Sequence, residues 1–317
     1  MRASSSLSPA SRQKNPAQPE LPGFLAAPPA ATLAILLSTT LLILACGSTK
    51  MAPGTPREFI DEIGRKVKVR RNPGRLISLA PSITETLYAL GLGDRVVGVT
   101  SFCDYPPEAR TKESIGDTLK PNIEKIISLR PDVVIASTAS QLEQPVRRLD
   151  ELGIPVFVSN PRDVGGVLES IERLGEVLGV AGRAHDLTNE LSMRIMAVES
   201  RVAGLPRPPV FLMLGSDPLI TAGGPSFITD EITRAGGYSI SSGESSEYPQ
   251  YSMETVVAKK PEIIFLQAGE AGIPARLGET PAAQSGRVYR LDDAILLRPG
   301  PRIVDGLEQM AARIHPE

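Results

Sequence analysis

Apolar residues recur along this chain in two rhythms, short uninterrupted runs and helical i, i+3, i+4 spacing, and the alternation between them predicts the architecture. Residues 57–71 alternate around Ile60, Ile63, Val67 and Val69 with Gly64 in the middle, a pattern that suits a short hairpin. Apolar runs at 76–79, 96–99, 133–135 and 154–158 read as buried strands. Between them lie helical patterns at 82–90, closed by Gly91, at 122–129, stopped by Pro131, and at 141–152, ended by Gly153. Strands alternating with helices at this pitch predict βαβ units and a parallel sheet. From 164 to about 203 the strands disappear and only helical spacing is left. Residues 182–203 as one helix would measure about 33 Å, and a break near 179–182 into two stacked helices fits the first part equally well. After the prolines at 206, 208 and 209 the alternation restarts, with strands at 210–214, 263–266 and 288–291 and helices at 225–235, 253–259 and 301–314.

The pattern therefore predicts an α/β protein with an amino-terminal lobe at 57–163, a helical bridge at 164–205 and a carboxy-terminal lobe at 206–317. Clefts at the carboxyl ends of the strands of such lobes are where small ligands usually bind.

Ahead of the folded part, residues 33–45 form an uncharged apolar stretch too short to span a bilayer comfortably, and it reads as the core of a signal peptide. It ends at Ile43-Leu44-Ala45-Cys46-Gly47, which resembles the bacterial lipobox, where the cysteine is lipidated and becomes the mature amino terminus. This predicts a lipoprotein signal peptide over 1–46, an exported protein anchored to a bacterial membrane through Cys46, and a flexible tether over 47–56. Acylation of Cys46 would leave Cys103 as the one free thiol of the mature chain, expected to be buried as a small apolar side chain.

Charge and chemistry narrow the classes further. The formal net charge is -2, and with Arg2, Arg12, Lys14 and Glu20 giving the first 45 residues +2, about -4 is left for the rest, which is no footprint for nucleic acid. Only two histidines, His185 and His315, are present, so a histidine-rich metal site is not expected. The glycines at 91, 93 and 98 follow a helix and miss the dinucleotide spacing. No G-x-S-x-G, Walker A or H-E-x-x-H motif occurs. Asp292 and Asp293 are adjacent and face opposite ways on a strand end. No catalytic residues are expected.

One internal echo points to related lobes: residues 123–135 and 253–265 each read as a short helix, a basic-Pro-acidic turn and a buried strand, with Glu124 and Glu254 in matching register. The segments Arg75 to Ser82 with Thr84-Glu85, Gly98 to Pro107, and Arg298 to Arg302 resemble those of the periplasmic iron-complex and cobalamin binding family. Its members are ABC importer solute receptors whose two Rossmann-like lobes are bridged by a single long backbone helix. The likeness covers about 59–314.

The resemblance implies a ligand cleft lined by Tyr105, whose ring can lie against a flat macrocycle, with Arg298 as a charge-assisted donor. Pro81 and Ser82 would start a helix whose free backbone N–H groups favour acceptor groups on the ligand. Leu119 and Ser137 stand near the places where the cobalamin receptor carries tryptophans, and this chain has no tryptophan. Cobalamin, a shorter corrinoid, heme and a ferric siderophore stay open as ligands, with no cofactor implied. Glu124 and Glu254 match the exposed acids, one per lobe, that such receptors dock onto the membrane permease, which works with an ATPase. A monomer is expected.

Overall fold

A computed structural model of the chain describes residues 55–138 and 143–316. The apolar leader, Cys46 and most of the proposed tether lie outside the described residues.

The fold opens with an antiparallel hairpin of β1 (Arg57–Ile60) and β2 (Lys66–Val69), Arg57 opposite Val69. Its inward face is Val67 and Val69. Ile60 and Ile63, read above as part of that apolar pattern, are 61 % and 47 % exposed. The Asp61 carboxylate, accepting hydrogen bonds from the Ile63 and Arg65 amides, shapes the turn between the strands.

Five parallel strands follow: β3 (Leu76–Ser78), β4 (Val96–Val99), β5 (Glu113–Ser114), β6 (Val133–Ser137) and β7 (Val156–Ser159), in the order β5-β4-β3-β6-β7. The crossovers carry α1 (Pro81–Ala89), α2 (Ile123–Ser128) and α3 (Glu143–Glu151). Pro81 at the first position is pre-set for helix, and Gly91 at φ +69 ends the turn beyond it. The two-residue β5 gave no readable run in the sequence.

Two helices then run without an intervening strand, α4 (Val164–Leu178) and α5 (Ala181–Val202), so the broken alternative is the observed one. Gly179 at φ +76 supplies the left-handed cap that stops α4. The 22 residues of α5 extend about 33 Å. Its buried stripe is Ala184, Thr188, Leu191, Ile195, Val198 and Val202, one face at alternating four- and three-residue steps.

The second lobe contains β8 (Pro209–Met213), a small hairpin of β9 (Gly215–Ser216) with β10 (Leu219–Ile220), and then α6 (Phe227–Arg234), β11 (Tyr238–Ser239), α7 (Met253–Lys259) and β12 (Ile263–Gln267). It closes with α8 (Pro281–Gln284), β13 (Val288–Leu291), α9 (Asp293–Leu296) and α10 (Ile303–Ile314). Its sheet is parallel in the order β11-β8-β12-β13.

Each sheet has one apolar layer of its own, around Ile77 and Val134 in the first lobe and around Phe211 and Ile264 in the second. The opposite faces share a core. One cluster of buried side chains runs from Leu76, Val133 and Phe157 through Ile171, Leu174 and the stripe of α5 to Val210, Phe265 and Met310. Lobes joined by a continuous close-packed core resist being bent apart.

The internal echo is structural. Asn122 caps α2 by accepting from Lys125 N, and Ser252 caps α7 by accepting from Thr255 N. Before the prolines, Arg130 and Lys260 both adopt the left-handed conformation, φ 45 and 47. Few non-glycine residues do so, and the shared exception at equivalent positions marks a repeated unit.

Candidate functional site

The lobes meet over the amino terminus of α1. Glu85, one turn into that helix, is almost fully buried and points across the junction. Its Oε1 accepts from Arg298 Nη1 at 2.9 Å and Arg302 Nη2 at 2.7 Å, and its Oε2 accepts from Arg302 Nε at 2.8 Å. Arg298 Nη1 also donates to Asp104 Oδ1 at 2.6 Å, and this bond holds the Asp104 carboxyl below the ordinary carboxylate range. The Arg302 guanidinium lies 4.0 Å from the centroid of the Tyr105 ring, a cation–π contact. Two carboxylates and an aromatic of the first lobe thus share two arginines of the second.

Tyr105 follows β4 at the carboxyl end of the sheet, its peptide bond to Pro106 is cis, and its side chain is 45 % exposed. With Arg302 over one face, the rest of the ring is open. A groove of about 500 Å³ passes beside it, lined by Glu85, Tyr88, Glu108, Leu187, Glu190 and Arg194 among others, with Pro301, Arg302 and Asp305 from the second lobe. Arg194 of α5 closes its lower end by donating to Asp305 Oδ1 at 2.7 Å and to both oxygens of Glu308 at 2.9 and 2.8 Å. Burial, with Glu108 and Asp94 nearby, pushes the Tyr88 hydroxyl up.

Leu119 and Ser137 do not line that groove. Both line a larger concavity of about 970 Å³ at the carboxyl ends of the strands, walled by Ile63, Arg65, Val158 and the face of α3 that carries Val146 and Asp150. Leu119 is 64 % exposed there, whereas Ser137 is buried. Tyr105 on one side and Leu119 with Ser137 on the other therefore fall into two neighbourhoods on the first lobe.

Arg298 and Ser82 both stand at the junction of the lobes. Arg298 is committed to Glu85 and Asp104, because a long cationic side chain entering a junction with two carboxylates pairs with them. Ser82 is buried, and Gly300 of the second lobe packs against its carbonyl, where even a Cβ would stand 3.1 Å from the oxygen. Pro81 is half-buried beside it. The helix start is thus a floor between the lobes and not an open anion cradle.

Cys103 is buried as expected. Thr84 Oγ1 donates to its sulfur at 3.0 Å, Thr100 Oγ1 lies 3.2 Å away, and burial pushes the thiol up. Glu124 and Glu254 are exposed in the first turns of α2 and α7. Glu254 pairs with Arg276 at 2.7 Å, and Glu124 has no ion pair among the described residues.

Sequence reasoning quoted Glu85 and Arg302 within motifs without assigning them a part. The signal was present in the spacing: Arg298 and Arg302 stand four apart, leading into a helix, and each turns toward the single acid of the Pro81-to-Glu85 motif. Among the described residues no cluster of His, Cys, Asp and Glu could hold a metal.

Comparison with known proteins agrees with this geometry. The family described as periplasmic binding protein matches residues 76–295. An uncharacterized ABC transporter substrate-binding lipoprotein of Bacillus subtilis, YvrC, is 30 % identical over 90 % of this chain and 96 % of its own. Among solved structures, the periplasmic vitamin B12 binding protein BtuF of Vibrio cholerae superposes with a TM-score of 0.70 at 30 % identity, over 77 % of this chain and 97 % of its own. The periplasmic heme-binding protein RhuT of Roseiflexus gives 0.69 at 28 % identity, over 76 % and 97 %. With two parallel-sheet lobes, a 22-residue helix braced against both, and a match over most of its folded length, the chain belongs to the periplasmic binding protein family.

Proposed function

We propose that this chain is the solute-binding subunit of an ABC importer that captures cobalamin or a related corrinoid and delivers it to a membrane permease. The observation that carries the reading is the likeness to a vitamin B12 binding protein over 97 % of that protein's length. The site supports it: the open face of Tyr105 suits a flat macrocycle, and an aromatic contact of that kind contributes on the order of 1 kcal/mol beyond area burial. Leu119 and Ser137 offer a further apolar and polar pair at the strand ends. Arg298, paired with Asp104 next to Tyr105, and Pro81 and Ser82 at the start of α1 complete the proposed ligand-binding set. No catalytic role is assigned.

Glu124 and Glu254, at equivalent registers of repeated helix-strand units, are the permease contacts. Lipidation at Cys46 holds the monomer at the outer face of a bacterial membrane, a reading supported by the lipobox-like segment and by the lipoprotein name of the Bacillus relative.

The heme-binding relative makes heme the second reading, with Tyr105, Tyr248 or Tyr251 as axial oxygen. Calorimetry of the chain from Gly47 onward with cyanocobalamin, cobinamide, heme and a ferric siderophore decides between them. Saturable one-to-one binding of a corrinoid alone supports the proposal. Binding of heme or the siderophore alone replaces the ligand and keeps the transport role.

A further inference from the structure

The chain is net negative, yet residues 57–75 hold seven Lys and Arg against three Asp and Glu, a local net of +4. The hairpin carries part of this charge to the amino ends of the first-lobe strands, where Arg70 meets Asp132 just ahead of β6. There a concavity of about 560 Å³ lies between the hairpin and the corner where α4 meets α5, with Arg57, Arg70 and Arg71 on one wall and Glu176, Gly179 and Ala181 on the other. Arg57 is held 5.1 Å over the Phe59 ring, and Arg70 bonds Asp132 at 2.8 Å while staying 61 % exposed. Among the described residues neither Arg57 nor Arg71 has a carboxylate partner, so two cations face the concavity uncompensated except by Glu176. The first turn of α5 opens into the same space, and Val180 ahead of it supplies no side-chain cap. Its unfilled N–H groups and positive dipole end add to the arginines.

We infer that this concavity binds the phosphate group of anionic phospholipid headgroups and seats the first lobe on the membrane while the receptor is undocked, since Glu124 lies at the opposite, carboxyl end of the same sheet. Guanidinium groups arranged around a concave site suit phosphate oxygens by paired hydrogen bonds. The choice of lipid over a free anion rests on the anchoring proposed for Cys46. Arg57, a wall of the concavity, is eleven residues beyond Cys46, so a fully extended chain keeps it within about 40 Å of an acylated cysteine. An anionic leaflet contributes about 1 kcal/mol per basic residue near its surface, which is about 5-fold in affinity per arginine.

The test is sedimentation of the chain from Gly47 onward, which keeps the whole compact unit Pro53–Glu317 and has no acyl group. Phosphatidylcholine vesicles with and without phosphatidylglycerol are compared. The expected result is binding to the phosphatidylglycerol vesicles alone, weakened by salt, and lowered at least about 25-fold in Arg57→Gln/Arg70→Gln/Arg71→Gln. A control of equal charge change, Arg110→Gln/Arg147→Gln/Arg148→Gln, should bind like the parent, and unchanged melting of both variants shows that each is folded. No binding, equal binding to neutral vesicles, or equal loss in the control overturns the inference. Saturable binding of inorganic phosphate at concentrations that release the protein from vesicles overturns the lipid source. Because the protein is unacylated, the result is independent of the anchor, which is tested separately by labelled fatty-acid incorporation at Cys46.

Discussion

Glu85→Ala removes the carboxylate on which both lobes converge. The side chain of Glu85 is 2 % exposed and makes three charge-assisted hydrogen bonds to Arg298 and Arg302, 213 and 217 residues away. Breaking a buried pair by removing one partner costs about 3–5 kcal/mol, because the remaining charge stays desolvated and unpaired. Here the two guanidinium groups are 16 % and 18 % exposed and Arg298 keeps Asp104, so the loss falls at the lower end, about 3 kcal/mol. Against a typical total of about 5–15 kcal/mol that is a large fraction. Urea unfolding of the single variants Glu85→Ala and Arg302→Ala and of their double variant measures it. The double variant should lose at least about 1.5 kcal/mol less than the sum of the singles, since both remove the same contact. A Glu85→Ala protein within about 1 kcal/mol of the parent, or strict additivity in the cycle, would refute the claim that this cluster joins the lobes.

Three further outcomes are expected. Glu231 in α6 is fully buried, neither carboxyl oxygen has a hydrogen-bond partner among the described residues, and burial together with Asp230 pushes its pKa well up. A raised carboxyl pKa contributes stability that is complete below the unfolded value near 4.3 and is lost as pH rises through the folded value. Glu231→Leu should therefore stabilise the protein by about 1–3 kcal/mol at neutral pH and by less near pH 5, and a melting series showing the opposite trend with pH would contradict this. Gly175 lies where α4 turns toward α5, and a Cβ there would overlap that of Ala184. Gly175→Ala is expected to lower stability by about 1–3 kcal/mol in denaturant melts despite the better helix propensity of alanine, and a neutral or stabilising result would show that the corner can relax. Finally, Glu124→Ala with Glu254→Ala should leave ligand affinity unchanged in calorimetry and abolish uptake by cells, while loss of affinity would exclude the docking role.

What the sequence determined by itself was local. Hydrophobic period, cap residues and the glycines and prolines that end elements act over a few residues, so α7 and β13 stand where the pattern places them. Asn122 and Ser252 cap their helices, and the repeat at 123–135 and 253–265 is readable as text. Elements of two residues, such as β5, β9 and β11, escape that reading because a strand so short carries no period and exists only through its neighbour. Tertiary structure alone decided the charge pairing and the partition of the site. Glu85, in the first helix of the described residues, and Arg302, just ahead of the last, become partners only when both lobes pack on one continuous core. That packing pairs Arg298 with Glu85 and Asp104, covers Ser82 with Gly300, and separates Leu119 and Ser137 from Tyr105. Burial of Glu231 has the same origin, since an acid on a short helix reads as solvated until another helix, α10, closes over it.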